Sequence, residues 1–90
     1  MGTKIDAELS NRLREAESAE PQREIPVIVR LREGADIAEL ERRGLRVQGR
    51  YESIPAVYGT IAASAMSRVE ALDSVVQMEF DGRAQALSGS

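Results

Sequence analysis

The sequence contains no cysteine and no histidine. Without cysteine there is neither a disulfide framework nor a thiolate metal site, and without histidine the usual general base and zinc ligand are both missing. Most hydrolytic chemistry is thereby excluded. Aromatic residues are scarce, with one Phe, two Tyr and no Trp, which leaves little for stacking on nucleic-acid bases. An excess of positive charge is lacking too: the formal net charge is −3 and the pI lies near 5.0. That balance argues against nucleic acid and anionic membrane as partners, because both call for a basic footprint. No run approaches the roughly 20 consecutive apolar residues that a spanning helix needs. What remains is a 90-residue chain, 42% hydrophobic and 30% charged, which is enough for one domain with a modest core. Composition points to binding, regulation or assistance of another protein, with no catalysis, no metal and no cofactor expected.

The first twenty or so residues are rich in Glu, Arg, Ala and Ser, with apolar side chains at Ile5, Leu9, Leu13 and Ala16. That spacing predicts an amphipathic helix from Asp6 to about Glu17, with Asp6 as N-cap and Pro21 as its stop. No apolar run of secretory length follows Met1, so no signal peptide is expected. From Ile25 a β-branched run, Pro26 to Leu31, reads as a central strand. Glu33 and Gly34 make a turn. Asp36 and Glu39 have the spacing of a capping pair that opens a short helix, which Gly44 closes. Leu45 to Tyr51 alternates, with Leu45, Val47, Gly49 and Tyr51 on one face and Arg46, Gln48 and Arg50 on the other. Ser53 to Pro55 turn the chain into a second alternating run, Ala56 to Ala62. Ser64 is the expected cap of a helix carrying Met66, Val69 and Leu72 inward. The last strand, Val75 to Phe80, sets Val76, Met78 and Phe80 opposite Gln77 and Glu79.

The order after the first helix is β, α, β, β, α, β, the split arrangement of a ferredoxin-like α+β fold. Right-handed crossovers make the sheet antiparallel, with two helices on one face and the first and third strands in the middle. Val27, Val29, Leu31, Val47, Val57, Ile61, Met78 and Phe80 are expected to face the helices. The opposite face receives Ile28, Arg30, Arg46, Gln48, Arg50, Tyr58, Thr60, Gln77 and Glu79.

Such sheets host unrelated functions, so the residues must decide. RNA recognition would need several aromatics on the open face, and only Tyr58 stands there in this reading. A heavy-metal site would need a CxxC where Leu31 to Gly34 lie, and a phosphate-cradling loop needs more than Gly34 alone. The positive signal is the opening Val27, Ile28, Val29, the hairpin Ile54 to Ile61, Val75 followed by Met78, Glu79, Phe80 and Asp81, and the tail Ala84, Gln85, Ala86, Leu87. Taken together, from about Ile25 to Leu87, these resemble the propeptides of subtilisin-like serine proteases and the related stand-alone inhibitors.

That resemblance implies a division into an N-terminal helix and linker (1–22), a propeptide-like inhibitor domain (23–82) and an extended tail (83–90). It implies an inhibitor, with an intramolecular-chaperone role besides, of a subtilisin-like serine protease. Ala84, Gln85, Ala86 and Leu87 would occupy the substrate cleft in the manner of a product, Leu87 nearest the catalytic serine. Glu79 and Asp81 would cap helices of the protease, where a carboxylate meets unpaired amides. Ile28, Tyr58, Thr60 and Gln77 would form the sheet-face interface. The chain would be monomeric when free, cytoplasmic if Met1 is its native start and exported if it is an excised prodomain. The alternative is a non-catalytic regulatory or assembly module of the same fold.

Overall fold

The computed structural model describes residues 4–82. Helix α1 (Ala7–Ala19) starts where Asp6, in extended conformation, accepts a 2.9 Å hydrogen bond from the Leu9 amide, which satisfies one of the orphan donors of the first turn. Strand β1 (Glu24–Leu31) buries alternate residues, Ile25, Val27, Val29 and Leu31. Helix α2 (Ile37–Arg42) is capped by Asp36, whose carboxylate accepts from the Ala38 amide at 3.0 Å. Gly44 closes it at φ +113, a backbone conformation that a Cβ disfavours.

The expected reciprocal cap at α2 does not form. Glu39 turns to Arg42 at 2.9 Å and Arg43 at 3.2 Å instead, because guanidinium groups three and four residues on are stronger partners than a backbone amide. The bond from Arg42 first, and that from Arg43 second, hold the Glu39 carboxyl below the ordinary carboxylate value.

Beyond α2 come β2 (Arg46–Arg50), β3 (Ala56–Ala62), a 3-10 turn (Ala63–Ala65), α3 (Met66–Glu70) and β4 (Val75–Phe80). Ser64 sits inside the 3-10 turn and does not cap α3; the residue before that helix, Ala65, is already helical and no side chain caps it. A turn that runs straight into a helix leaves no extended residue from which a hydroxyl can reach back. Met66 and Val69 are nonetheless buried as expected.

The strands form one antiparallel sheet in the order β2-β3-β1-β4, the ferredoxin-like arrangement, with β1 and β3 central. Val27, Val29, Val57, Ile61 and Met78 meet Leu40, Met66 and Val69 from the helices in a single buried cluster. Leu9 and Ala16 of α1 belong to that same cluster and are fully buried. The segment before α1 also meets the edge of the sheet. Ile5 forms a parallel bridge with Met78, the Met78 amide donates to the Lys4 carbonyl at 2.7 Å, and the Asp6 amide donates to the Met78 carbonyl at 3.1 Å. The outer edge of β4 is thus paired at Met78. Lys4 Nζ donates to the carbonyls of Glu70 and Leu72 at 2.9 and 2.8 Å, where α3 ends and a cation suits the helix terminus. Among the described residues no helix is long and apolar enough to cross a membrane.

Two bulges alter the expected faces. The register of β2 against β3 runs Val47 opposite Gly59 and then Gly49 opposite Tyr58, so Gln48 is an extra residue. Residues beyond it change sides: Gly49 joins Tyr58 on the open face, and Arg50 falls opposite Val57 on the helix side. This corrects the expectation that Gly49 and Tyr51 share a face with Val47 and that Arg50 lies on the open face. The second shift lies between Arg30 and Leu31, which pair with Gln77 and Val75. Val76 is squeezed out and 49% exposed, while Val75 takes the core position. Period-two reasoning holds only while the pleat is unbroken, and one extra residue inverts everything after it.

Candidate protein-binding surface on the open face of the sheet

The helices and the core lie on one side of the sheet, and the register fixes what the other side carries. Ile28 stands at its middle, opposite Tyr58 on β3 and Glu79 on β4. Thr60 is opposite Pro26, and Gln77 is opposite Arg30. All of the residues expected at a sheet-face interface, Ile28, Tyr58, Thr60 and Gln77, are therefore brought onto one surface, and each is half-buried.

A residue that sequence reasoning missed joins them. Tyr51 meets Tyr58 edge to face, with ring centroids 5.6 Å apart and planes at 63°, the geometry that aromatic quadrupoles favour. The bulge at Gln48 is what brings it there. The signal available in the sequence was Gly49, since a glycine inside a strand often marks a bulge or a close approach. Here it marks both: a Cβ at position 49 would lie 2.2 Å from the Tyr58 hydroxyl oxygen and 2.6 Å from Cε1, so the Tyr58 ring crosses the bare Cα.

Charged groups surround this centre in matched pairs. Arg30 Nε donates to Glu79 at 2.7 Å. Arg46 Nε lies 3.1 Å from one oxygen of Glu24, and the other oxygen accepts from the Thr60 hydroxyl at 2.5 Å. Apolar centre and polar rim are the usual anatomy of a protein-protein contact.

The two carboxylates expected to cap helices of a partner occupy different settings. Glu79 is on the open face with 27% of its side chain exposed, already bonded to Arg30. Asp81 is 4% exposed and its amide donates to the Pro26 carbonyl at 3.0 Å, so in the free domain it does not project as a solvated charge. Ala84, Gln85, Ala86 and Leu87 lie outside the described residues.

A cleft of about 100 Å³ runs between the β2–β3 connection and α2, lined by Leu31, Ile37, Arg50, Ile54, Pro55 and Val57 among others. It falls well short of the roughly 300–1,000 Å³ of small-molecule pockets. Among the described residues no group of His, Cys, Asp and Glu is placed to hold a metal ion.

Among the described residues, fold and surface together define a ferredoxin-like α+β domain with helices α1 to α3 on one face of the sheet and an aromatic pair with cross-strand ion pairs on the other. No protein-family model matches the chain, and no curated protein matches it in sequence.

Proposed function

We propose that this chain is a non-catalytic inhibitor domain of a subtilisin-like serine protease, docking through the open face of its sheet on helices at the protease surface. Residues Ala84 to Leu87 enter the substrate cleft as an added strand, with Leu87 nearest the catalytic serine. The observation that supports the reading is the sheet face that none of the described helices packs on. A sheet with α1, α2 and α3 on its far side offers a half-buried centre of Ile28 and Tyr58 in a polar surround, an anatomy that suits another protein. Strand β4 borders this surface, ends at Phe80 and runs directly into the tail.

The tail supplies the test. A strand added at a cleft edge gains three or four backbone hydrogen bonds worth about 1 kcal/mol each, and burial of the Leu87 side chain adds about 2 kcal/mol. Ending the chain at Arg83 is therefore expected to weaken inhibition of a subtilisin-type protease by about 10,000-fold. Far-UV circular dichroism and the thermal midpoint stay nearly unchanged, since the core lies upstream. Progress curves at increasing inhibitor concentration measure the loss. A shortened chain that inhibits as tightly as the full one removes the tail from the mechanism.

A further inference from the structure

We propose that the cleft between the β2–β3 connection and α2 receives the C-terminal residue of an extended peptide, its aliphatic side chain in the cleft and its free carboxylate on Arg50, while the preceding residues of the peptide lie along the outer edge of β2. The proposal goes beyond the inhibitor reading and does not depend on it.

The cleft offers apolar space for one side chain. Its walls are Leu31 at the end of β1, Ile37 on α2, and Ile54, Pro55 and Val57 where β3 begins, and its volume is about 100 Å³. A cavity of roughly 150 Å³ accommodates benzene, so this one suits a single aliphatic group. It is too small to hold a free ligand of ordinary size, and an occupant must be anchored outside it as well. Ile54 is 44% exposed here, and an aliphatic group in the cleft would cover it.

Charge at the cleft has one sign. Arg32 and Arg50 line it and no carboxylate does, although Glu33 and Glu52 are close by in the chain. Arg32 donates through Nε to the Asp73 carbonyl at 2.8 Å, a neutral partner. The exposed side chain of Arg50 takes part in no hydrogen bond or ion pair among the described residues. The strand arginines Arg30 and Arg46, by contrast, are each matched with a carboxylate. Arg50 stands at the cleft because of the bulge at Gln48, which brings it to the helix side opposite Val57. An unmatched guanidinium beside an apolar recess selects a group that joins a carboxylate to an aliphatic side chain, and its planar fork can hold both carboxylate oxygens.

The main chain of such a peptide has a place too. Strand β2 is an outer strand, and among the described residues no backbone bond reaches its far edge. It ends at Arg50, beside the cleft. A peptide laid along that edge in the direction of β2 therefore delivers its last residue to the cleft. The bulge keeps the regular stretch short, so the edge orients the peptide while Arg50 and the cleft select its end.

The test titrates the full, isotopically labelled chain with a short acetylated peptide of uncharged, strand-forming residues ending in leucine. Amide shifts map the site and fluorescence anisotropy measures affinity. The peptide is expected to bind with shifts confined to residues 31–37 and 46–57. Amidation of its C-terminus, and Arg50→Gln in the chain, are each expected to weaken binding about tenfold or more, as loss of a charge-assisted pair does. Arg50 is exposed, so its substitution should leave the thermal midpoint unchanged; Ile54→Ala, which strips one wall of the cleft, is a second variant with a loss in the same direction. Equal binding of the acid and amide peptides, or binding unchanged by Arg50→Gln, overturns the carboxylate site. N-acetyl-leucine that binds as tightly as the peptide overturns the role of the β2 edge. No binding at about 1 mM peptide overturns the whole proposal. Failure of the inhibitor reading leaves it standing, because no protease enters the measurement.

Discussion

Removal of residues 1–19 is expected to abolish cooperative folding of the remaining chain. In the sequence the segment is set apart as a helix and linker, because it is charged, short and separated from the next apolar run by Pro21. In the structure it is part of the core. Leu9 is fully buried, and replacing a buried Leu by Ala alone costs about 2–5 kcal/mol. Ala16 is fully buried as well, while Ile5 and Leu13 pack on the same cluster from its margin. Deletion also opens the ladder of β4 now paired with Ile5 and strips Lys4 from the carbonyls that end α3. Against this stands a total stability of roughly 5–13 kcal/mol for a domain of this length. The truncated chain should show broad, poorly dispersed amide resonances and no sharp thermal transition. A milder version, Leu9→Ala, should lower the thermal midpoint by about 15 °C, given about 3 kcal/mol of lost burial in a domain of this size. A chain lacking residues 1–19 that melts within a few degrees of the intact one would show that α1 is an appendage.

The second large effect is expected at Gly59. A Cβ there would stand 1.9 Å from the Arg46 carbonyl oxygen, 2.8 Å from its carbon and 3.1 Å from the Val47 Cα. These are backbone atoms, so no side chain can swing away to relieve the clash. Gly59 is not among the positive-φ glycines, and the cost is therefore steric: β2 must part from β3 to admit one methyl group. Overpacking of this kind costs about 1–3 kcal/mol, and more where backbone has to move. Denaturant unfolding of Gly59→Ala should show a clear drop in midpoint, with the cross-strand contacts of Val47 to residue 59 lost in nuclear Overhauser spectra. Gly49→Ala should unfold near the wild-type midpoint, because the atoms it meets can move. Equal stability of Gly59→Ala and wild type would contradict the bulged register of β2.

The contrast between these two glycines also indicates where sequence reasoning reaches its limit. Alternation along β1 and β3 is legible because both strands are central and unbroken, and Val27, Val29, Val57 and Ile61 lie where the period places them. The caps Asp6 and Asp36 and the closing Gly44 are legible for a related reason, since each acts within one turn of its own position. Bulges are different. Gln48 and Val76 are pushed out by the pairing of two strands; Gly49 is the one local sign of the first, and nothing in the β4 pattern announces the second. Tyr51 was assigned to the core side for that reason. The role of Lys4 to Asp6 is equally non-local, because an isolated bridge to Met78 joins residues 73 positions apart in the chain (78 − 5). Asp81 is expected from the resemblance to cap a helix of a partner, yet it is buried beside Pro26, which lies more than fifty residues earlier in the chain.

On the open face the sequence identified Ile28, Tyr58, Thr60 and Gln77 together, because they lie where the register is regular, and it omitted the aromatic partner of Tyr58. Pairing of Arg30 with Glu79 and of Arg46 with Glu24 was equally hidden, since each joins two strands through side chains whose meeting depends on register. Those pairs bear on the proposed mechanism. Glu79 can cap a helix of a protease through Oε1 while Oε2 keeps its bond to Arg30.

Titration of the full chain into a subtilisin-type and a chymotrypsin-type serine protease, followed by residual activity on a small peptide substrate, tests the proposed inhibition most directly. A docking inhibitor that fits one protease surface is expected to abolish the subtilisin-type activity as it approaches one equivalent and to leave the chymotrypsin-type enzyme untouched. Full activity of both enzymes at excess inhibitor, or equal transient losses as each simply digests the chain, would contradict it.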